Sequence, residues 1–214
     1  NSATYSTLSD SNGYVSTRFR LGEDVGENLY HIKVNSSYQQ QPLQNSPVDF
    51  YASGKAGLPS RAFKLTQDGQ VDTVNHIIDQ PFRVRITDQF SNPVEDYVVT
   101  FRVIKGGGSI DGQQEVTRQT NLNGIAEARL RLGSAAGTEN HQVAAFLTGI
   151  TPNEIIFKAS AVADYPVALE YVSGNDQKSP FQTTLPLPFV VRVEDQFKNG
   201  VAGHPVLFTA QGDQ

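Results

Sequence analysis

The feature that most constrains this chain is an internal repeat with a period of about 107 residues. Gly13-Tyr14-Val15 recurs as Gly124-Ile125-Ala126, 111 positions later. Asp88-Gln89-Phe90-Ser91-Asn92 recurs as Asp195-Gln196-Phe197-Lys198-Asn199, 107 positions later. The two spacings differ by four residues, and the extra residues fall within the predicted loop at residues 35–49. Loops are where insertions are tolerated best. A repeat of this length predicts successive copies of one structural module.

Within each copy, apolar residues alternate with polar ones, which is the period of a half-buried β-strand. Phe82, Val84 and Ile86 alternate with Arg83, Arg85 and Thr87. The same pattern occurs at Val15, Thr17, Phe19 and Leu21, at Ala126, Ala128, Leu130 and Leu132, at Tyr30, Ile32 and Val34, and at Val99, Phe101 and Val103. Turn-forming sequences such as Ser91-Asn92-Pro93 separate these stretches, and none has a helical period. We therefore expect an all-β fold in which each copy is a β-sandwich of about seven short antiparallel strands.

Composition excludes several classes of function. The 214 residues include 17 basic and 22 acidic side chains, for a net charge of −5, and lack the basic cluster that nucleic-acid binding requires. The longest uncharged stretch is broken by Gly149 and Pro152, so the sequence predicts no membrane insertion. Because cysteine is absent, disulfides, thiolate metal sites and cysteine nucleophiles are also excluded.

The four histidines are the only imidazoles of the chain, and their positions do not suggest a catalytic or metal-binding set. His31, His76, His141 and His204 fall in different predicted strands or loops, without the spacing of metal ligands. We expect them to face solvent or lie at the rims of the sandwiches. The sequence therefore predicts a protein that is not an enzyme and has no catalytic, cofactor-binding or metal site.

Two acidic positions leave a second interpretation open. Asp88 and Asp195 end equivalent predicted strands, and calcium bound between domains would use such oxygen ligands. Other acidic residues near loops are Asp10, Asp111 and Glu139. Because no Asp-x-Asp-x-Asp-Gly loop is present, we favour the interpretation that each Asp caps the turn after its strand. Gly106-Gly107-Gly108 lacks a following helix and a Lys-Ser or Lys-Thr pair, which favours a flexible hairpin bend over a phosphate-binding loop.

Short motifs follow one another in a characteristic order along the repeat. A strand ending in Asp88 is followed by Asn92-Pro93-Val94, then by Asn121-Leu122-Asn123-Gly124 and by Leu132-Gly133. In this order they resemble the bacterial immunoglobulin-like repeats of invasin- and intimin-type surface proteins. The resemblance covers nearly the whole chain, although the second copy has Asn199-Gly200 in place of Asn-Pro. It implies tandem immunoglobulin-like β-sandwiches at the cell surface, in adhesins or filaments.

Some immunoglobulin-like fibre subunits of bacteria are similar in carrying Lys–Asn amide cross-links. That resemblance makes Lys33, Lys64 and Lys158 candidates, since each lies in a predicted strand. The alternation of side chains places Lys33 on a polar face, and we expect no cross-link.

Placed on such a domain, the repeat is cut out of phase. A domain would open with the strand after Pro59 and again with the strand after Pro166. This predicts a back half with the last strands at residues 1–57, a complete sandwich at 58–163, and a front half with the first strands at 164–214. Joined on paper, Gln214 followed by Asn1 reads as a continuous module. Half a sandwich buries too little apolar surface to offset its ordering entropy, so a neighbouring repeat or chain should complete each half.

The sequence thus predicts an architectural role: a structural module of a bacterial extracellular filament or adhesin stalk, with itself as head-to-tail partner. Two alternatives remain open. One is a binding module that recognises a host protein or glycan through loops at the sandwich ends, such as Tyr38-Gln39-Gln40-Gln41. The other is an accessory β-domain of a secreted glycan-active enzyme.

Overall fold

The computed structural model describes residues 4–212, and all of the elements in this part of the chain are strands. They are β1 (Gly26–Val34), β2 (Ser37–Tyr38), β3 (Gln41–Pro42), β4 (Val48–Gly54), β5 (Arg61–Lys64), β6 (Gln70–Thr73), β7 (Phe82–Thr87), β8 (Val98–Lys105), β9 (Ser109–Ile110), β10 (Glu115–Gln119), β11 (Ile125–Ala128), β12 (Leu130–Arg131), β13 (Gly137–Leu147), β14 (Glu154–Val162), β15 (Ala168–Ser173) and β16 (Val190–Glu194). The predicted all-β fold is confirmed. A helix long and apolar enough to cross a membrane does not occur within residues 4–212.

The chain forms two compact units, one that ends at Ala56 and one that begins at Gly57. We call residues 4–56 the back segment. In the second unit, strands β5 to β14 form what we call the central sandwich, and residues 164–212 form the front segment. The division between units lies beside the domain boundary predicted at residue 57. A second division is not found near residue 163, and that boundary remains a prediction.

The central sandwich consists of two principal sheets. One has five strands in the order β10-β8-β13-β14-β6, and the other has three in the order β11-β7-β5. The prediction of purely antiparallel strands was wrong at one edge, where β6 pairs with β14 in parallel. The reason is that the chain crosses from the small sheet to the large one between β5 and β6. The new strand therefore joins the far edge of the large sheet instead of forming a hairpin with its predecessor.

The two sheets pack face to face through apolar side chains from alternate strand positions. The rings of Phe82 in β7 and Phe157 in β14 stack across the interior, with centroids 4.8 Å apart. Other fully buried side chains of this core are Val84, Ile86, Val99, Phe101, Ile110, Leu130, Leu132 and Val143. Each such burial contributes about 1.5–3 kcal/mol. Because the sandwich has no disulfide, this packing and the strand ladders hold it together.

The back segment reproduces the local structure of its counterpart in the central sandwich. Strands β1 and β4 form an antiparallel pair with an irregular register near Asn28, as β13 and β14 do near Glu139. Asn28 and Glu139 both have a left-handed backbone, with φ of 50° and 46°. Their N–H groups donate to the hydroxyls of Ser53 and Ser160, at 2.9 Å in each case. The repeat found in sequence is therefore also a repeat of conformation.

One predicted strand of the back segment is not formed. Residues 15–21 have the alternating pattern of their counterparts in β11 and β12, yet they carry no strand ladder. In the central sandwich, β11 pairs with β7 and β12 pairs with β9. Strands equivalent to β7 and β9 are missing from the described part of the back segment. An alternating pattern becomes a strand only where a partner strand supplies the hydrogen bonds.

Candidate functional site

The candidate functional site consists of two apolar faces, one on the back segment and one on the front segment. Phe101 and Phe157 are fully buried in the central sandwich, each with 0% of its surface exposed. Their counterparts are open to solvent, with 62% of Phe208 and 56% of Phe50 exposed. Residues of the same type at the same repeat position are thus interior in the central sandwich and surface in the two segments.

The contrast extends over both faces. The exposed apolar residues of the back segment with buried counterparts include Val15, Phe19, Leu21, Val34, Val48 and Phe50. Those of the front segment include Phe189, Val206 and Phe208. Several large apolar side chains exposed on one segment are a feature of interaction sites.

Strand pairing shows the same division. Two pairings of the central sandwich, β13–β14 and β5–β7, have counterparts in β1–β4 and β15–β16. Four others are β8–β10, β8–β13, β14–β6 and β11–β7. Each of these four joins a strand that has its counterpart in the front segment to one that has its counterpart in the back segment. Their equivalents do not form within residues 4–212. The two segments therefore lack complementary sets of strands.

A groove of about 620 Å³ opens on the apolar face of the front segment. Its lining includes the aromatic rings of Tyr171, Phe189 and Phe208 and the side chain of Val191. Concave apolar sites of this size accommodate bulky side chains or small ligands.

Asp88 caps the turn that follows β7. Its Oδ1 accepts the backbone N–H groups of Phe90 and Asn92, both at 2.9 Å. Its Oδ2 accepts the side-chain amide of Asn92 at 3.0 Å and the N–H of Gly57 at 2.9 Å. Burial acts to raise the pKa of Asp88, but these donors stabilise the charged form and hold the pKa below its ordinary value of 3.8.

Asp195 repeats this arrangement in the front segment. Its Oδ1 accepts the N–H groups of Phe197 and Asn199, both at 2.8 Å. Its Oδ2 accepts the Asn199 amide at 2.8 Å and the N–H of Asp164 at 3.0 Å. Burial acts to raise the pKa of Asp195, but the hydrogen-bond donors lower it, so the pKa lies below its ordinary value of 3.8. Since every oxygen of both carboxylates faces N–H donors, the geometry is that of a turn cap and not of a calcium site.

The other acidic candidates are also engaged locally. Asp10 accepts the N–H groups of Asn12 and Tyr14, Asp111 pairs with Arg118, and Glu139 pairs with Lys158. Within residues 4–212 there is no group of three His, Asp or Glu side chains able to hold a metal ion.

Asn199 joins the front segment to the central sandwich. Its Nδ2 donates to the carbonyl of Ser134 at 2.8 Å, and its Oδ1 accepts the N–H of Ala136 at 2.8 Å. The Asn199 carboxamide thus donates one hydrogen bond to the backbone of the loop between β12 and β13 and accepts another from it, as a peptide group would. The carboxylate of Asp195 holds the carboxamide in position. Sequence analysis missed this role. The only signal was that Asn recurs at positions 92 and 199, and a local motif does not reveal which loop its side chain reaches.

We expect Asn199→Ala to loosen the junction between the central sandwich and the front segment. The substitution removes hydrogen bonds worth about 0.5–1.5 kcal/mol each. The chain has no native cysteine, so spin labels can be attached specifically to Gln113→Cys and Thr184→Cys. Double electron–electron resonance spectroscopy then measures the distance between the two labels across this junction. The distance distribution should be narrow in the parent chain and broad in the Asn199→Ala variant. Asn123→Ala, on an exposed turn, should leave it narrow; equal widths in all three chains would contradict the assignment.

The histidines only partly match the expectation that they lie at the surface. His31 contacts Asp49 and stacks on Tyr51, and His76 lies 3.6 Å from a carboxylate oxygen of Asp72. His141, however, is fully buried, so the prediction was wrong for this residue. The signal was present, because His141 shares the inward alternation of Val143 and Ala145.

His141 is held by groups that require its neutral form. Its Nε2 accepts the N–H of Gly133 at 2.7 Å, and its Nδ1 lies 2.9 Å from Oδ1 of Asn140. A Cβ atom at Gly106 would come within 2.5 Å of the imidazole, so the predicted flexible bend is in fact closely packed here. Burial lowers the pKa of His141 below its ordinary value of 6.5, and a hydrogen bond with the Gly106 backbone offsets this only in part.

The stability of the central sandwich should therefore fall in mild acid. A lowered pKa means that the unfolded chain binds the proton first, so the stabilisation is complete above pH 6.5 and decreases as the pH falls below it. The slope should reach at most about 1.4 kcal/mol per pH unit for one proton. Urea unfolding between pH 7 and pH 5 measures it. His141→Gln keeps an acceptor without titrating and should reduce the slope, and an unchanged slope would contradict the assignment.

The candidate lysines are engaged in other contacts. Lys64 Nζ donates to Asp68 at 2.6 Å and to the carbonyl of Ile156 at 2.7 Å. Lys158 Nζ donates to Glu139 at 2.9 Å, and this partner raises the pKa of Lys158 above its ordinary value of 10.5. The contacts of these two amines are ionic and hydrogen-bonded.

The fold and the site define an all-β protein with one two-sheet module and two flanking segments. The segments expose apolar residues whose counterparts are buried in that module. No protein family and no curated protein matches the chain. Among solved structures, it is similar to that of surface layer protein SbsC, domains 4–9, with a TM-score of 0.34 and 13% sequence identity. The match covers 78% of this chain and 24% of the length of the other. A TM-score of this size establishes neither a shared topology nor a shared function.

Proposed function

We propose that this chain is a structural module of a bacterial extracellular filament or adhesin stalk, and that it assembles head to tail. The observation that carries the proposal is the contrast between matched residues. Phe50 and Phe208 are exposed, while Phe157 and Phe101 at the same repeat positions are fully buried. In this proposal, each segment is half of a module, and a neighbouring repeat or chain covers its apolar face.

Two further features support an architectural role. The modules repeat along the chain, and repeated modules joined end to end build extended structures. In addition, the two hydrogen bonds of Asn199 fix the front segment to the central sandwich, and Asp195 holds the Asn199 side chain in place, which favours a defined direction over a flexible linker. The immunoglobulin-like class, the bacterial origin and the surface location rest on the resemblance of the sequence motifs. The proposed role requires no catalysis.

The exposed residues also favour association. The two faces expose large apolar side chains whose counterparts are buried, from Val15 in the back segment to Phe208 in the front segment. Covering them in a complex would remove apolar surface from water, which is favourable.

Sedimentation of the chain at increasing concentration tests the proposal. We expect the mass to rise from 23.4 kDa through successive multiples, and electron microscopy to show linear particles of varying length. A mass of 23.4 kDa at all concentrations up to about 100 μM, well above the dissociation constants of stable interfaces, would contradict it.

A further inference from the structure

We infer that the front segment takes the back segment of a second copy of this chain in a fixed register, with Phe50 of that copy in the groove formed by Tyr171, Phe189 and Phe208. This inference rests on the proposed function and adds to it a specific partner, an anchor residue and a strand alignment.

The central sandwich shows what occupies the equivalent position. There, the ring of Phe157 stacks on Phe82 with a centroid separation of 4.8 Å, and Lys64 Nζ lies 4.8 Å from the centroid of the same ring. Displaced by 107 residues, Phe82 corresponds to Phe189 and Lys64 to Tyr171, and both line the groove. Phe157 corresponds to Phe50.

The alignment of strands follows from the same comparison. In the central sandwich, Ala144 of β13 lies opposite Arg102 of β8. The counterparts are Lys33 in β1 and Thr209 in the front segment. Val84 of β7 lies opposite Ala126 of β11. The counterparts are Val191 in β16 and Val15, which belongs to the stretch that has no ladder of its own.

A second copy fits this face better than an unrelated apolar peptide for two reasons. The back segment already has the strand irregularity near Asn28 that β13 has near Glu139, so its backbone matches the surface that covers the equivalent face in the central sandwich. Moreover, Phe50, Phe189 and Phe208 are each more than half exposed in the single chain, so all three are accessible to another copy.

Engineered cysteines test the alignment. The predicted partners Lys33 and Thr209 are replaced in separate chains, Lys33→Cys and Thr209→Cys, which are then mixed and mildly oxidised. Cysteines directly opposite on paired strands are close enough to form a disulfide. We expect a covalent dimer of the two variants, and a ladder of covalent multimers from the double variant. Neither single variant alone should form dimers at a comparable rate.

Ala210→Cys in place of Thr209→Cys is the matched control, because adjacent residues of a strand point to opposite faces. Its cross-linking to Lys33→Cys should be slower than that of Thr209→Cys by a factor of about ten or more, because a disulfide requires a specific geometry. Equal rates for the two positions would overturn the register, and a cross-linked monomer from the double variant would overturn the second copy as partner. If linear assemblies form but Lys33→Cys and Thr209→Cys do not cross-link, this inference fails while the proposed function survives. If the chain remains monomeric, both fail.

Discussion

A chain with Phe208→Asp should not assemble, even at concentrations at which the parent chain forms multimers. Phe101, the counterpart of Phe208, is fully buried between the sheets. A carboxylate in that position would have to be buried without a partner, which costs several kcal/mol. We expect the apparent dissociation constant to rise by a factor of about 100 or more, since each 1.4 kcal/mol is a factor of ten. Sedimentation velocity measures the change.

Leu207→Asp is the matched control, because Leu207 is 88% exposed and its counterpart Thr100 alternates with the buried Val99 and Phe101 of β8, which places Thr100 on the outer face of the sheet. It should assemble like the parent chain. Phe50→Asp should block the other face, so a mixture of Phe50→Asp and Phe208→Asp chains should stop at a dimer. Assembly of Phe208→Asp alone, or equal disruption by Leu207→Asp, would show that the apolar face is not the interface.

The second large effect is on stability. Phe157→Ala should destabilise the central sandwich by about 3–5 kcal/mol, because it removes a fully buried ring and leaves a cavity against Phe82. In a chain kept monomeric by Phe208→Asp, the equivalent substitution Phe50→Ala should cost less than about 1 kcal/mol, since Phe50 is already exposed. Urea unfolding followed by circular dichroism gives both values.

Comparing Phe157→Ala with Phe50→Ala separates the effect of the repeat position from the effect of burial under a second sheet. The residue type and the repeat position are the same, and only the covering sheet differs. Where Phe157→Ala prevents folding altogether, Phe157→Leu provides a milder change at the same site. A cost of several kcal/mol for Phe50→Ala in the monomeric chain would show that the back segment has a closed core of its own.

The sequence predicted the fold well where the pattern depends on local spacing. The strand at Phe82, Val84 and Ile86 forms as β7, and the turn caps at Asp88 and Asp195 form because an Asp side chain reaches its own next residues. Local chemistry of this kind is contained in a few adjacent residues and can be predicted from them.

Features that depend on distant partners could not be predicted in this way. The alternation of residues 15–21 predicted a strand, but a ladder also needs a neighbour, and the described part of the back segment lacks one. The burial of His141 depends on space left by Gly106, and the contacts of Asn199 depend on a loop 63 to 65 residues earlier in the chain. The parallel pairing of β6 likewise depends on how the chain crosses between sheets.

The claim that the two segments complete each other is tested most directly by backbone hydrogen exchange at low and high chain concentration. Residues 14–17 and 205–209 have no strand ladder in the single chain, whereas their counterparts in the central sandwich do. We predict fast exchange in both stretches at low concentration and slow exchange in both once multimers form. The amides of β13 and β14 should be unchanged. Fast exchange at residues 14–17 and 205–209 in chains shown to be assembled would contradict the account.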